Sequence, residues 1–159
     1  LLHHEYIMVI LPHHFKSGSE VTTYTQRSVT LFVPDITKSS CIPEEANIKI
    51  SVHVGNNHEE LINAWLAAQT FTPTNTILQS VALCPDQKNI FINFKDKSPL
   101  PAQASTHDKL LWTQGLLTTL HAYNNTIEYV YFLVNDQPLT DYELDFSKPW
   151  PIQGFLKNT

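Results

Sequence analysis

A chain of 159 residues with 42% apolar residues can bury one hydrophobic core, so it corresponds to one domain or to one domain with an arm. The formal net charge is −5 and no cluster of lysine or arginine occurs, which excludes the usual basic surface for nucleic acids or anionic membranes. The longest apolar run, Tyr6–Leu11, is far shorter than the roughly 20 residues that cross a bilayer. Because the chain begins at Leu1, we expect a mature or excised portion whose targeting segment or anchor is missing.

Residues 1–26 are predicted to form an arm that contains one short strand, Glu5–Leu11. Four histidines flank this strand as two adjacent pairs, which could bind a transition metal adventitiously. A structural metal site needs fixed spacing and supporting partners, and neither is readable here, so no metal is expected. The pairs are His3-His4 and His13-His14.

The next segment is predicted to contain two strands around a loop. Arg27–Val33 is the first strand, and Thr37–Ala46 is the loop, which carries the adjacent carboxylates Glu44 and Glu45. Neighbouring carboxylates on an exposed loop rarely converge on one substrate atom, so no acid–base role is expected. Apolar and polar residues then alternate over Ile48–Val54, as is typical of a half-buried antiparallel strand. Its core-facing residues are predicted to be Ile48, Ile50, Val52 and Val54.

Two cysteines, Cys41 and Cys84, lie beside prolines in predicted loops, and the sequence leaves two interpretations open. They are either two separate buried thiols or one disulfide. A disulfide would stabilise the fold by roughly 4 kcal/mol and would imply an oxidising compartment. Because no Cys-x-x-Cys pair occurs, a thioredoxin-like redox motif and a paired-cysteine zinc site are excluded.

A first amphipathic helix is predicted over Asn57–Gln69. Asn57 is the expected N-cap, with Glu60 as its capping-box partner. The apolar face of this helix is expected to pack on a sheet, and it includes Trp65, which we interpret as a core residue rather than a ligand platform.

A second helix is predicted to begin at Ser105 or Thr106 and to end near Tyr123. One wide face is apolar. Gly115 lies on the other face, and a glycine inside a helix costs about 1 kcal/mol relative to alanine. Either another element packs closely against Gly115 or the glycine is merely tolerated, and the sequence leaves both interpretations open.

The remaining elements complete a sheet. Ile77–Leu83 and Asn89–Phe94 are predicted to form a hairpin. Thr126–Val134 is apolar on both faces, so we expect it inside the sheet and covered on both sides. Asn135–Pro138 is predicted as a turn, and the alternation over Asp141–Ser147 favours one more edge strand.

These elements predict an α+β fold: a small mixed, mainly antiparallel sheet of about four or five strands with two helices packed on one face. The domain is expected to span residues 27–151, between the arm at residues 1–26 and a tail at residues 152–159.

Motifs of catalysis are missing from the sequence. It has no glycine-rich phosphate loop, no His-Glu-x-x-His motif and no Gly-x-Ser-x-Gly elbow. We therefore predict that the protein is not an enzyme, and we assign no catalytic, cofactor-binding or metal-binding residue. The enzymatic alternative is a cysteine-dependent hydrolase, in which Cys41 or Cys84 would pair with a histidine. The histidines available for it are His53, His58, His107 and His121.

The order of these elements and several short motifs resemble the GerMN domain, a module of sporulation and spore-germination proteins and of bacterial lipoproteins. The resemblance covers about residues 28–151. Gln137 stands where the turn of the family usually has glycine. The residues that carry the resemblance are Leu31, Pro34, Asp35, Ile90, Ile92, Phe94, Thr119, Leu120, Leu133, Val134, Asn135 and Asp136.

The resemblance implies an extracytoplasmic domain, in the periplasm or on the outer face of the cytoplasmic membrane, held by an anchor that this chain lacks. Its expected function is non-catalytic: a protein-interaction or scaffold domain in envelope or spore-envelope assembly. Expected partners are other envelope proteins or a second copy, with no nucleic acid and no cofactor. The alternative is a domain that binds a small ligand or glycan beside exposed Trp112, Trp150 or Tyr142.

Overall fold

The computed structural model describes residues 23–52 and 57–156, with side chains described as far as residue 154. The predicted strand Glu5–Leu11, the four arm histidines and His53 lie outside these residues. The elements are β1 (Tyr24–Asp35), β2 (Ser40–Ser51), α1 (His58–Ala68), β3 (Ile77–Leu83), β4 (Asn89–Lys95), α2 (Thr106–Tyr123), β5 (Tyr129–Val134), β6 (Gln137–Pro138), β7 (Trp150–Pro151) and α3 (Gln153–Leu156).

The strands are divided between two sheets instead of the single sheet expected. One sheet is the antiparallel pair β1–β2, and the other has the order β3-β4-β5-β6, with β7 also paired to β5. Within the described residues, β4–β5 is the one parallel pair. The fold is therefore mixed and mainly antiparallel, and the predicted α+β class is confirmed.

The second sheet exists because the predicted loop Thr37–Ala46 is mostly strand. β2 begins at Ser40, and its residues pair with β1 along the whole hairpin, for example Val33 with Ile42 and Phe32 with Pro43. Pro43 is tolerated in β2 because β2 is an edge strand. On the side of an edge strand without a neighbour, no backbone N–H is needed for strand pairing. The loop prediction was wrong, and Cys41, Glu44 and Glu45 lie on a strand.

Helix α2 lies between the two sheets, and its ends agree with the prediction. Ser105 is its N-cap, and its hydroxyl accepts a hydrogen bond from the Asp108 N–H at 3.1 Å. On one side, the buried ring of Trp112 lies 6.4 Å from Phe94 and 6.0 Å from Phe132, between ring centroids. On the other side, the helix packs against β1 through Gly115. The close-packing interpretation of this glycine is therefore correct.

Helix α1 buries Leu61, Ile62 and Trp65 as expected. The predicted capping box is wrong: the Asn57 side chain makes no capping hydrogen bond, and its Oδ1 accepts from the Ser51 N–H at 3.1 Å instead. The Asn57 side chain thus links the end of β2 to the start of α1. None of the helices in the described ranges combines the length and the hydropathy needed to cross a membrane.

Two strand predictions were partly wrong. Ile48 is buried on β2 as expected, but Val52 is 57% exposed and lies just after the strand. Asp141–Ser147 forms no strand, because the Asp141 carboxylate accepts hydrogen bonds from the N–H groups of Glu143 and Leu144 and so folds the segment into a turn.

The same turn is held to α2 by a buried ion cluster. Lys109 is 1% exposed, and its Nζ lies 2.9 Å from Asp141 Oδ2 and 2.8 Å from Glu143 Oε2. Its hydrogen bonds to Glu143 and Asp141 raise the pKa of Lys109 despite burial. A buried ammonium is tolerated only when paired in this way, so the segment after β6 has a fixed position.

Candidate functional site

The five-stranded sheet has two very different faces. Ile90, Ile92 and Val130 point toward the helices and are 0% exposed. Because side chains alternate along a strand, their neighbours point away from the helices. We call this side the outer face and define it by Ile77, Phe91, Tyr129, Tyr131 and Leu133.

Aromatic rings dominate the outer face. The parallel register places Phe91 of β4 beside Tyr131 of β5, and their rings stack with centroids 4.3 Å apart and planes 13° from parallel. Tyr129 is 41% exposed and Ile77 is 52% exposed. The expectation that β5 would be covered on both sides was therefore wrong, and the reason is that tyrosine can leave its hydroxyl in water while its ring packs on a neighbour.

A rigid turn closes one end of the outer face. Asn135 and Asp136 form the two-residue loop between β5 and β6, both with positive φ (49° and 65°), as a type I′ hairpin requires. Asn93 is buried beside it: its Nδ2 donates to Asp136 Oδ1 at 2.6 Å, and its Oδ1 accepts from the Asp136 N–H at 3.1 Å. The predicted turn Asn135–Pro138 is confirmed for Asn135 and Asp136, whereas Gln137–Pro138 form strand β6. The turn forms without glycine because Asn and Asp tolerate this backbone conformation.

The two cysteines are separate free thiols, so the disulfide interpretation is wrong. Cys41 lies on β2 and donates to the Leu111 carbonyl at 3.4 Å, whereas Cys84 follows β3 in the other sheet. Burial raises the pKa of Cys41 to about 11, which leaves little thiolate at neutral pH. Neither thiol has a histidine hydrogen-bond partner among the residues described.

The histidines named for a hydrolase are scattered over the helices. His58 is buried at the start of α1, with its ring edge against Tyr123, while His107 is exposed and His121 half-buried on α2. Across residues 23–52 and 57–156, no three histidine, cysteine, aspartate or glutamate side chains are grouped as a metal site would need. The Glu45 carboxylate accepts from Ser28 and Thr30 across the hairpin.

The three aromatic residues expected beside a ligand differ widely in exposure. Trp112 is 0% exposed, and Trp150 is half-buried and stacked on Phe146. Tyr142 is fully exposed, and it borders a cavity of about 370 Å³ formed by the single segment Pro138–Ser147. The prediction of exposed aromatic rings is therefore wrong for Trp112 and holds for Tyr142.

Comparison with known protein families identifies the family of this chain. A model of the Germane family, described as "Sporulation and spore germination", matches residues 30–140, which is more than half of the chain. The chain belongs to the Germane family. The resemblance to the GerMN domain, stated from the sequence, is confirmed.

Two solved structures share the fold of this Germane-family chain. A candidate lipoprotein from Clostridium perfringens is 18% identical, with a TM-score of 0.50 over 84% of this chain and 91% of that one. The first GerMN domain of the sporulation protein GerM from Bacillus subtilis is 12% identical, with a TM-score of 0.50 over 71% and 86%. At these identities the likeness shows the fold alone. No curated protein sequence matches the chain significantly.

The interaction-domain hypothesis implies exposed apolar residues on the sheet face opposite the helices or on an edge strand, and the exposed Ile77 and Tyr129 agree with it. The sequence reasoning did not name the residues of this face. The alternating Tyr129 and Tyr131 on a strand are the signal that indicates them.

Proposed function

We propose that the chain is a non-catalytic protein-interaction domain of the bacterial cell envelope and that its outer face binds another envelope protein. The observation that carries the proposal is the contrast between the two sides of one strand: Val130 is 0% exposed, whereas Tyr129 beside it is 41% exposed. A sheet face with stacked aromatic rings is a recurrent binding surface.

The composition of the outer face favours a protein over other classes of binding partner. Phe91, Tyr131 and Leu133 at the middle of the face carry no charge, and the charged Lys95 lies beside Ile77 at its edge. Tyrosine and phenylalanine are enriched at the centres of protein interfaces, where charges are depleted. Nucleic acids and anionic membranes require clustered cations, and the chain has a formal net charge of −5 without such a cluster. The same net charge opposes the approach of a second copy, so we assign the face to a different protein.

Placement in the envelope rests on the relatives. The family description concerns sporulation and germination, and the two similar structures are a candidate lipoprotein and a sporulation protein. We infer an extracytoplasmic, membrane-anchored domain with a role in assembling envelope or spore-envelope proteins.

Position-specific photo-cross-linking in the producing cell tests the proposal. A photoreactive residue is placed at Ile77 or Tyr131 on the outer face, and as a control at Tyr142, which is more exposed than either but lies on the segment after β6. We expect one discrete adduct with another envelope protein from both outer-face positions and none from Tyr142. Equal adducts from all three positions, no adduct, or an adduct only with a second copy would contradict the proposal.

A further inference from the structure

A second concave surface lies beside the C-terminal end of α1, away from the outer face. It encloses about 470 Å³ between this helix and the segment that leads into β3. This volume lies in the range of small-molecule sites. None of the residues that line it is charged. Its polar side chains are Asn63, Gln69, Thr70, Thr72, Thr74 and Thr76, and we call it the threonine cleft.

Gln69 is the unusual member of the threonine cleft. The residue is 8% exposed, yet neither its Oε1 nor its Nε2 has a hydrogen-bond partner among the described residues. The buried hydroxyl of Thr76 has none either. Buried polar groups are nearly always hydrogen-bonded, because leaving one unpaired costs stability. Such a cost is commonly retained where a ligand supplies the missing partner.

The protein core fixes a further hydroxyl of the threonine cleft. Trp112 donates its Nε1–H to Thr72 Oγ1 at 2.8 Å, and the Trp112 ring is 0% exposed against Trp65, with centroids 5.2 Å apart. Since Thr72 accepts from the indole, its own proton is left to donate. A ligand oxygen would thus meet a donor whose position is set by the core.

We propose that the threonine cleft binds a neutral N-acetylated sugar. An acetamido group offers one carbonyl and one N–H, which complement the donor and the acceptor of the Gln69 amide. Sugar hydroxyls suit the threonines, and Leu66 and Pro73 provide apolar contact for the ring. The Gln69 amide atoms are shielded from solvent, so binding requires this side chain to turn toward the ligand. The terminal torsion of an amide side chain is broad enough to allow it.

Negative charge next to the threonine cleft disfavours an anionic ligand. A neighbouring cleft of about 410 Å³ also contains Thr70 in its lining, and it adds the carboxylates Asp35 and Glu44. Asp35 is ionised at neutral pH, and a hydrogen bond from Thr37 lowers its pKa further. An acidic sugar would be repelled there, whereas a neutral sugar would not.

Titration of the full chain with N-acetylglucosamine, followed by amide chemical shifts in NMR, tests this inference. We expect saturable shifts centred on residues 63–76 at millimolar sugar. Glucose, which lacks the acetamido group, should bind at least tenfold more weakly. Equal binding of the two sugars, shifts centred elsewhere, or tighter binding of the neutral peptide N-acetylalanine methylamide would overturn the assignment.

Two variants separate a binding role of Gln69 from a merely structural one. Gln69→Met removes the unpaired amide at similar volume, so it should weaken sugar binding at least tenfold without lowering the unfolding temperature. Ala67→Phe, at an exposed lining position, should block the cleft, whereas Ala122→Phe, also exposed but on α2, should bind as the wild type does. Wild-type affinity in Gln69→Met or in Ala67→Phe would overturn the inference. Because the outer face is not involved, these results are independent of the cross-linking test.

Discussion

Gly115 in α2 touches the backbone of Phe32 in β1: a Cβ at position 115 would lie 2.5 Å from the Phe32 carbonyl oxygen. The backbone of Phe32 also forms hydrogen bonds with side chains of both α1 and α2. Trp65 Nε1 donates to its carbonyl at 2.8 Å, and its N–H donates to Thr119 Oγ1 at 2.8 Å. Phe32 of β1 is therefore fixed to both helices through its backbone.

Gly115→Ala should destabilise the protein, although alanine favours a helix. The added methyl meets a backbone oxygen that cannot move without breaking the two hydrogen bonds, and overpacking of this kind typically costs about 1–3 kcal/mol. Urea denaturation measures the free energy of unfolding. Gly154→Ala is the matched control, because its nearest neighbour would be a Pro151 side-chain atom at an ordinary 3.9 Å. A Gly115→Ala variant as stable as the wild type would contradict the close packing.

Lys109→Met should be severely destabilising. The substitution leaves the Asp141 carboxylate, whose side chain is 7% exposed, without its ammonium partner, and breaking a buried pair typically costs about 3–5 kcal/mol. Lys88→Met removes an exposed pair with Glu128 and should leave the denaturation midpoint nearly unchanged. Equal midpoints for the two variants would show that the Lys109 cluster does not hold the segment after β6.

Acid should weaken the Lys109 cluster in a defined pH range. Burial opposes ionisation of Asp141, but hydrogen bonds from Lys109 and from the N–H groups of Glu143 and Leu144 outweigh it and lower the Asp141 pKa. Its contribution to stability is therefore present above the ordinary aspartate pKa of 3.8 and is lost as the pH falls through the lowered pKa.

His58 should make stability depend on pH below the ordinary histidine pKa of 6.5. Burial lowers its pKa below the ordinary 6.5, so the unfolded chain takes up the proton first and stability falls as the pH drops through 6.5. The ring packs edge-on against Tyr123 at 5.2 Å, and Arg27 lies over the same tyrosine. Denaturation midpoints at several pH values should fall less steeply in His58→Gln than in the wild type. The exposed His107 is the control, and His107→Gln should keep the wild-type slope.

Cys41 should react slowly with iodoacetamide in the folded protein. A pKa of about 11, compared with 9.0 for an ordinary thiol, reduces the thiolate fraction at neutral pH about 100-fold. In a Cys84→Ser background, alkylation at pH 7.5 should speed up strongly on adding denaturant. Fast alkylation of the native chain would instead revive the hydrolase hypothesis.

The sequence was most informative where local pattern and burial agree. The β3–β4 hairpin, both main helices and the Asn135-Asp136 turn were predicted near their observed bounds, because alternation, capping residues and turn chemistry are local signals. The capping box at Asn57 was predicted wrongly for the opposite reason. Asn57 is a good capping residue, but its side chain accepts a hydrogen bond from Ser51, a contact that no local pattern indicates.

Features that depend on contacts distant in sequence could not be predicted. Pro43 and the acidic pair after it are typical of a loop, and only pairing with Phe32 makes the segment a strand. The burial of Lys109 depends on carboxylates more than 30 residues away. The threonine cleft has no local signature beyond the alternating threonines of residues 70–76, since its shape comes from their packing against α1.

If the outer face binds an envelope protein, one positive charge placed on this face should prevent the binding. Tyr131→Lys breaks the stacking with Phe91 and places a cation at the centre of the face, while the core side of β5 is untouched. Tyr142→Lys adds the same charge away from the sheet. The decisive measurement is the yield of the Ile77 cross-link to the partner in both variants. We expect the adduct to be lost in Tyr131→Lys and kept in Tyr142→Lys, with both proteins folded by circular dichroism; an adduct of wild-type yield in a folded Tyr131→Lys variant would contradict the claim.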